Sequence, residues 1–252
     1  MNNTDSTEIA GSKTGVIVRI TSLFLIIATI ITLIILAMPK TTDVVYEIWD
    51  ERTTLGDTKA KNHYIMLTDI MCPYCDYFSR AIMSHQEEFE QYLKDNDIVY
   101  EMRITDFLNE YGEAGAKSEQ AAEATLCATE ENKFWDYYHN AMKSLDEDYH
   151  SKGIGNAKTS PHITGMTADY WLEVGYEVGL GESFKDCYKN HKMLDKVREN
   201  TENAAKVMQK TGETGGMPYF ILNKFVTSGF DTSFGWNEVK NYYLDIGLNY
   251  KN

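Results

Sequence analysis

Four cysteines carry the chemistry open to this sequence: Cys72, Cys75, Cys127 and Cys187. The first two belong to Cys72-Pro73-Tyr74-Cys75, and thiols with two residues between them at the start of a helix can close a small disulfide ring. An apolar run at 63–67 reads as a buried strand, and a helical pattern at about 76–94 follows the motif. Cys72 is thereby placed at a helix N-terminus, where unpaired backbone N–H groups and the helix dipole favour a thiolate over a thiol. Pro73 falls in the first helical turn, where its missing N–H costs nothing. Strand, C-x-x-C turn and helix together read as a dithiol–disulfide redox site. Two plainer readings stand beside it. The pair could be half of a zinc site, although no second C-x-x-C supplies the other ligands, or two cysteines packed into the core.

The rest of the chain must supply a compartment in which such a site can work. The 252 residues carry a net charge of −14, which argues against a nucleic-acid partner because phosphate contacts need clustered Lys and Arg. Residues 1–15 are small and polar and read as a disordered cytoplasmic tail. The run 20–38, ITSLFLIIATIITLIILAM, has no charge and the length to cross a hydrocarbon core. It lacks the short apolar region and small-residue cleavage site of a secretory signal. Lys13 and Arg19 precede it, while Lys40, Asp43, Glu47, Asp50 and Glu51 follow. That bias places the N-terminus in the cytoplasm and the large domain outside, on an uncleaved single-pass anchor over 16–38. A juxtamembrane linker follows at 39–55, with 44–49 a candidate short strand.

Beyond the motif, 97–104 alternates as a second strand, expected parallel to the first with the helix as crossover. From about 114 to 210 the pattern is helical, with helices expected at 114–130, 132–145, 167–178 and 182–211. Thr167 and Ser183 are placed as N-terminal caps, and 151–164 is a Gly/Ser/Pro-bearing loop. Strand character returns at 215–223, with 225–230 as hairpin partner and 236–246 as a last helix.

Three stretches, LGDTKAKNHYIMLTDIMCPYC, AAEATLCATEENKFWDYYHNAM and GGMPYFILN, resemble the DsbA-type thiol:disulfide oxidoreductases, in particular their membrane-tethered branch. The resemblance runs from about Gly56 to the C-terminus, and CPYC and Gly-Met-Pro-Tyr-Phe are its specific parts. It implies an α/β thioredoxin fold over 56–252 with a helical insertion at about 106–211, preceded here by the transmembrane helix. It further implies Cys72 as the exposed nucleophile, Cys75 as its resolving partner, and Pro218 as a cis-proline beside them with Met217 before it. Such a loop presents backbone to an incoming substrate chain as an added strand. No cofactor is implied; the partners are extracytoplasmic proteins with cysteines and a membrane redox partner for reoxidation. Two positions depart from the pattern. Tyr74 stands where a family member carries a thiolate-stabilising His, and Met66 where members often carry a buried acid. Asp69 is nearer the site, either as a substitute proton acceptor or as the polar cap of the strand–helix turn.

Cys127 and Cys187 fall in separate predicted helices without C-x-x-C partners. In an oxidising compartment two leftover thiols pair most simply with each other, the alternative being two separately buried thiols. His191 follows Cys187 by four residues, a spacing compatible with a metal pair, yet further ligands are not evident and no metal is expected. The function expected is a membrane-anchored, extracytoplasmic oxidoreductase that introduces disulfides through Cys72–Cys75. A reductase or isomerase on the same scaffold is the alternative, as is a tethered substrate-binding module.

Overall fold

The computed structural model describes residues 23, 25–29, 46–111, 113–156, 160–212 and 216–250. The chain divides into two units, Met1–Asp43 and Val44–Asn252. In the first, Leu23 and residues 25–29 are helical and exposed. The tail at 1–15 and the rest of the expected anchor lie outside the described residues. Among the described residues no helix is long and apolar enough to cross a membrane.

The second unit is built on five strands: β1 (Thr54–Leu55), β2 (Asn62–Asp69), β3 (Ile98–Thr105), β4 (Tyr219–Leu222) and β5 (Phe225–Ser228). They form one sheet in the order β1-β3-β2-β4-β5. β2 pairs parallel with β3, and the remaining neighbours are antiparallel. Lying at the centre, β2 is buried on both faces from Tyr64 onward, which is why its sequence is a continuous apolar run rather than an alternation. Its register against β4 ends at Leu67↔Tyr219, so Pro218 and Met217 continue alongside the last two residues of β2 toward the Cys72 turn.

Helix α1 (Pro73–Met83) and helix α2 (Gln86–Asp95) link β2 to β3. A single helix at 76–94 was the expectation. The break comes at Ser84–His85, where His85 leaves helical geometry (φ −137°, ψ 38°) and its N–H turns back to Ile82 O at 2.8 Å. The kink lets Phe78 and Ile82 of α1 and Phe89 and Leu93 of α2 all enter the core.

Between β3 and β4 come α3 (Glu113–Cys127), α4 (Phe134–Asp148), α5 (Ala168–Glu177), α6 (Glu182–Lys189) and α7 (Leu194–Thr211). The expected helix at 182–211 is therefore two. Lys192 N–H closes on Cys187 O at 3.0 Å, and His191 takes a left-handed conformation (φ 52°) that no helix can continue. The capping expectations also change. Thr167 precedes α5 but makes no side-chain cap bond, and the N-cap of α6 is Gly181 rather than Ser183. The cap of α6 comes from 50 residues upstream: the Glu131 carboxylate accepts from Gly181 N–H at 2.9 Å and from Phe184 N–H at 2.9 Å. The chain closes with α8 (Trp236–Glu238), a π-helical stretch Val239–Asp245 and α9 (Ile246–Asn249).

Residues 46–49 form turns and bends, not the strand expected at 44–49, whose first two residues lie outside the described residues. Side chains of β3 hold this segment. Glu101 Oε1 accepts from Trp49 N–H at 2.6 Å, Arg103 donates to Glu47 O at 2.8 Å, and its guanidinium lies 4.0 Å from the Trp49 ring centre.

Candidate redox site

The site is assembled where β2 ends. Asp69 terminates the strand and folds the turn: its backbone carbonyl accepts from Cys72 N–H at 3.0 Å, and Oδ1 accepts from Met71 N–H at 2.9 Å. Oδ2 accepts from Leu108 N–H at 2.8 Å and from the Ser118 hydroxyl. These contacts are those of a polar cap on the strand–helix turn, one of the two roles weighed for Asp69. Burial pushes its carboxyl up to about 6 against the pull of those donors.

That displacement has a measurable consequence. A carboxyl raised on folding contributes stability that is complete below its unfolded value, near 3.8, and is lost as pH rises through about 6. A displacement of this size corresponds to about 3 kcal/mol. Asp69→Asn loses donors it could accept from, a constant cost, but no longer titrates. In urea unfolding the parent should therefore lose up to about that amount of stability relative to the variant between about pH 4 and pH 7. Equal losses in the two would show that Asp69 ionises in the fold as easily as in the unfolded chain.

Cys72 is the N-cap of α1, in extended geometry (φ −82°, ψ 118°), with Pro73 in the first turn behind it. Both cysteines of the pair are free thiols. Cys72 is only 5% exposed, so the expected exposed nucleophile is a buried one. It lies beneath the 217–218 loop, with its Sγ 3.6 Å from Met217 O. Met217 is itself buried, and the Met217–Pro218 bond is cis. Tyr74 is the side chain of the motif that faces solvent, 44% exposed.

Cys75 is wholly buried, and burial pushes its thiol well up, with the neighbouring Cys72 adding to the effect. Behind it the Ser79 hydroxyl donates to Cys75 O at 2.8 Å and shares a short hydrogen bond with the Tyr138 phenol of α4. Met66, at the position of the missing acid, accepts from the Tyr100 hydroxyl at 3.1 Å.

Asp76 and His150 were missed in the sequence. Their side chains are fully buried and meet at 3.0 Å, Nδ1 to Oδ2, with Arg80 Nε 3.3 Å from the other carboxylate oxygen. An Asp in the first turn of a helix reads as an ordinary dipole partner, and nothing local marks His150 as its neighbour 74 residues later.

Cys127 and Cys187 are joined, with S–S 2.02 Å and Cα atoms 5.7 Å apart, tying α3 to α6. His191 turns to Glu123, Nδ1 to Oε2 at 2.9 Å, rather than sharing a ligand set with Cys187. Among the described residues no group of three or more His, Cys, Asp or Glu could hold a metal ion.

The sequence matches the family model described as Thioredoxin over residues 50–227. No curated protein matches the chain. Among solved structures the fold is similar to a thioredoxin-like oxidoreductase from Silicibacter pomeroyi DSS-3, at 19% identity, covering 84% of this chain and 99% of that one, with a TM-score of 0.54. It is also similar to the thiol-disulfide exchange protein alpha-DsbA2 from Wolbachia pipientis, at 18% identity, 79% and 88% coverage and a TM-score of 0.52. A third is MdbA, a thiol-disulfide oxidoreductase from Corynebacterium diphtheriae, at 17% identity, 74% and 93% coverage and a TM-score of 0.54. At these identities the likeness is one of fold.

Proposed function

The chain belongs to the thioredoxin family, and from that premise we propose that it is a DsbA-type thiol:disulfide oxidoreductase that introduces disulfides into extracytoplasmic proteins through Cys72 and Cys75. The observation that carries this reading is the placement of Cys72. Its sulfur sits at the N-cap of α1, against the carbonyl of Met217 and one turn from a deeply buried Cys75. A helix N-terminus favours negative charge, while burial disfavours it on Cys75. The two sulfurs are thus unequal, with Cys72 the better leaving group when the mixed disulfide is resolved.

Exchange begins from the Cys72–Cys75 disulfide. A substrate thiolate attacks Cys72 Sγ; a substrate–Cys72 bond forms, and the electron pair of the broken bond goes to Cys75, which takes up a proton. The second substrate thiolate then attacks its partner sulfur. The substrate disulfide closes, and Cys72 leaves as a thiolate. The substrate has lost two electrons and the site has gained them, so a membrane electron acceptor must restore the disulfide. No cofactor enters. The apolar run at 20–38 anchors the domain, with the N-terminus cytoplasmic and the site outside.

The direction rests on the potential. Equilibration with glutathione buffers, read by thiol trapping of the Cys72–Cys75 pair, should give a value between roughly −120 and −270 mV, the span from the strong oxidant DsbA to thioredoxin. Tyr74 offers no cation to the thiolate, which places the couple below the strongest oxidants. A value below about −270 mV would favour the reductase reading, and failure to exchange at all would favour a binding module.

A further inference from the structure

Beneath the redox pair lies a buried charge cluster that the exchange steps do not use. Asp76 follows Cys75 on α1, and its backbone N–H donates to Cys72 O at 3.1 Å. Residues four apart share a helix face, and helical side chains lean toward the N-terminus. The Asp76 carboxyl therefore stands on the Cys72 side of α1, one turn in. Its Oδ2 pairs with His150 Nδ1, and both side chains are wholly buried. One atom of the cluster, His150 Nε2, is buried without a hydrogen-bond partner, and Asp76 Oδ1 meets the Arg80 guanidinium only at ion-pair distance. Leaving a buried polar atom unpaired costs about 1–3 kcal/mol, so a knot kept only for stability would be poorly made. Three further groups face the pair. Arg80 of α1 stands 3.3 Å from Asp76 Oδ1 and reaches out to Asp146 of α4 at 3.1 Å. From α4 as well, the Tyr138 phenol lies within the electrostatic reach of both Asp76 and Cys75.

We propose that Asp76 and His150 are positioning residues for the exchange reaction, the protonation of His150 setting the net charge beneath Cys72 and so the ease with which its sulfur becomes a thiolate. With an imidazolium at 150 the buried pair is neutral. With a neutral imidazole it carries the carboxylate's charge on the Cys72 face, offset only by Arg80, which is partly in solvent. A buried charge is screened far less than a surface one. Reactivity at Cys72 is thereby coupled to a pair that never touches substrate. This role rests on Cys72 being the exchanging sulfur, as proposed above.

The test is the pH profile of iodoacetamide alkylation of the reduced protein, with the labelled cysteine identified by peptide mapping. Asp76→Asn keeps an acceptor for His150 and removes the negative charge, so the Cys72 midpoint should fall by about 0.5 pH unit or more, about threefold in thiolate fraction. His150→Asn keeps a donor near the Nδ1 position but cannot become cationic, and should move the midpoint upward. Opposite movements support the proposal. Movement of only one, of both in the same direction, or of neither would overturn it, because loss of mere packing has no sign. If either variant fails to unfold cooperatively, Arg80→Gln decides: removing the cation that offsets Asp76 should move the Cys72 midpoint upward, and an unmoved midpoint overturns the role. Labelling of Cys75 ahead of Cys72 would instead overturn the assignment of the exchanging sulfur, and this inference with it.

Discussion

Cys72→Ser should abolish disulfide transfer, with a loss of at least about 10³-fold in the rate of oxidative refolding of a reduced test protein. A serine hydroxyl neither forms the mixed disulfide nor leaves from one. Cys75→Ala should behave differently. Cys72 stays beside Met217 O and its thiolate can still attack a substrate disulfide, forming a mixed disulfide and expelling a substrate thiolate, but the internal thiol that would release it is gone. Adducts should therefore accumulate as reducible bands on non-reducing gels. On the anchoring proposed above for the run at 20–38, those bands should sediment with membranes and be released by detergent rather than by alkaline wash. The two substitutions remove sulfurs about one helical turn apart, so a general effect on folding would strike both alike. The asymmetry between a dead variant and a trapped one is the signature of exchange. Activity retained in Cys72→Ser, or adducts seen with Cys72→Ser and not with Cys75→Ala, would reverse the roles assigned to the two cysteines.

The parts of this site that were legible in the sequence are those fixed by short-range rules. Cys72, Pro73 and Cys75 announce themselves because a strand, a proline in the first turn and a following helix are local patterns. Pro218 was placed through family resemblance, and the register Leu67↔Tyr219 shows how the sheet delivers it. What escaped was set by contacts distant in sequence. The kink at His85 lets two helices share one core, and the cap of α6 belongs to Glu131 because the turn after α3, Ala128–Glu131, packs against the start of α6, not because of any residue beside Gly181. The burial of Cys72 depends on a loop 145 residues away. Asp76 and His150 look unremarkable until α1 and the turn after α4 close on each other. Periodicity reports which face is apolar; it cannot report which polar residue the opposite element will bring.

Removing the second bridge should cost the domain more stability than any other single change considered above. Cys127 and Cys187 enclose a segment of 60 residues and join α3 to α6, with Cα atoms 5.7 Å apart. Closing so long a loop restricts the unfolded chain, and the chain-entropy estimate for it is roughly 4 kcal/mol. That is a large part of the 5–15 kcal/mol by which native domains are typically stable. Other ties across the same region reduce the expected loss: Glu131 already caps α6, and Glu123 already meets His191. Both sulfurs are buried, so the variant of choice is Cys127→Ala/Cys187→Ala, which leaves small apolar groups instead of unpaired hydroxyls. Cys72→Ser/Cys75→Ser serves as the common background, so that no thiol can reshuffle. In urea the bridge-free protein should unfold at lower concentration and with a steeper dependence, because an unbridged chain exposes more surface. Thiol counting of the denatured, unreduced background protein gives the companion result. No free thiol is expected, since both remaining cysteines are committed to the bridge. Two free thiols, or a stability unchanged to within about 1 kcal/mol, would mean that α3 and α6 are held by packing and the Glu131 cap alone.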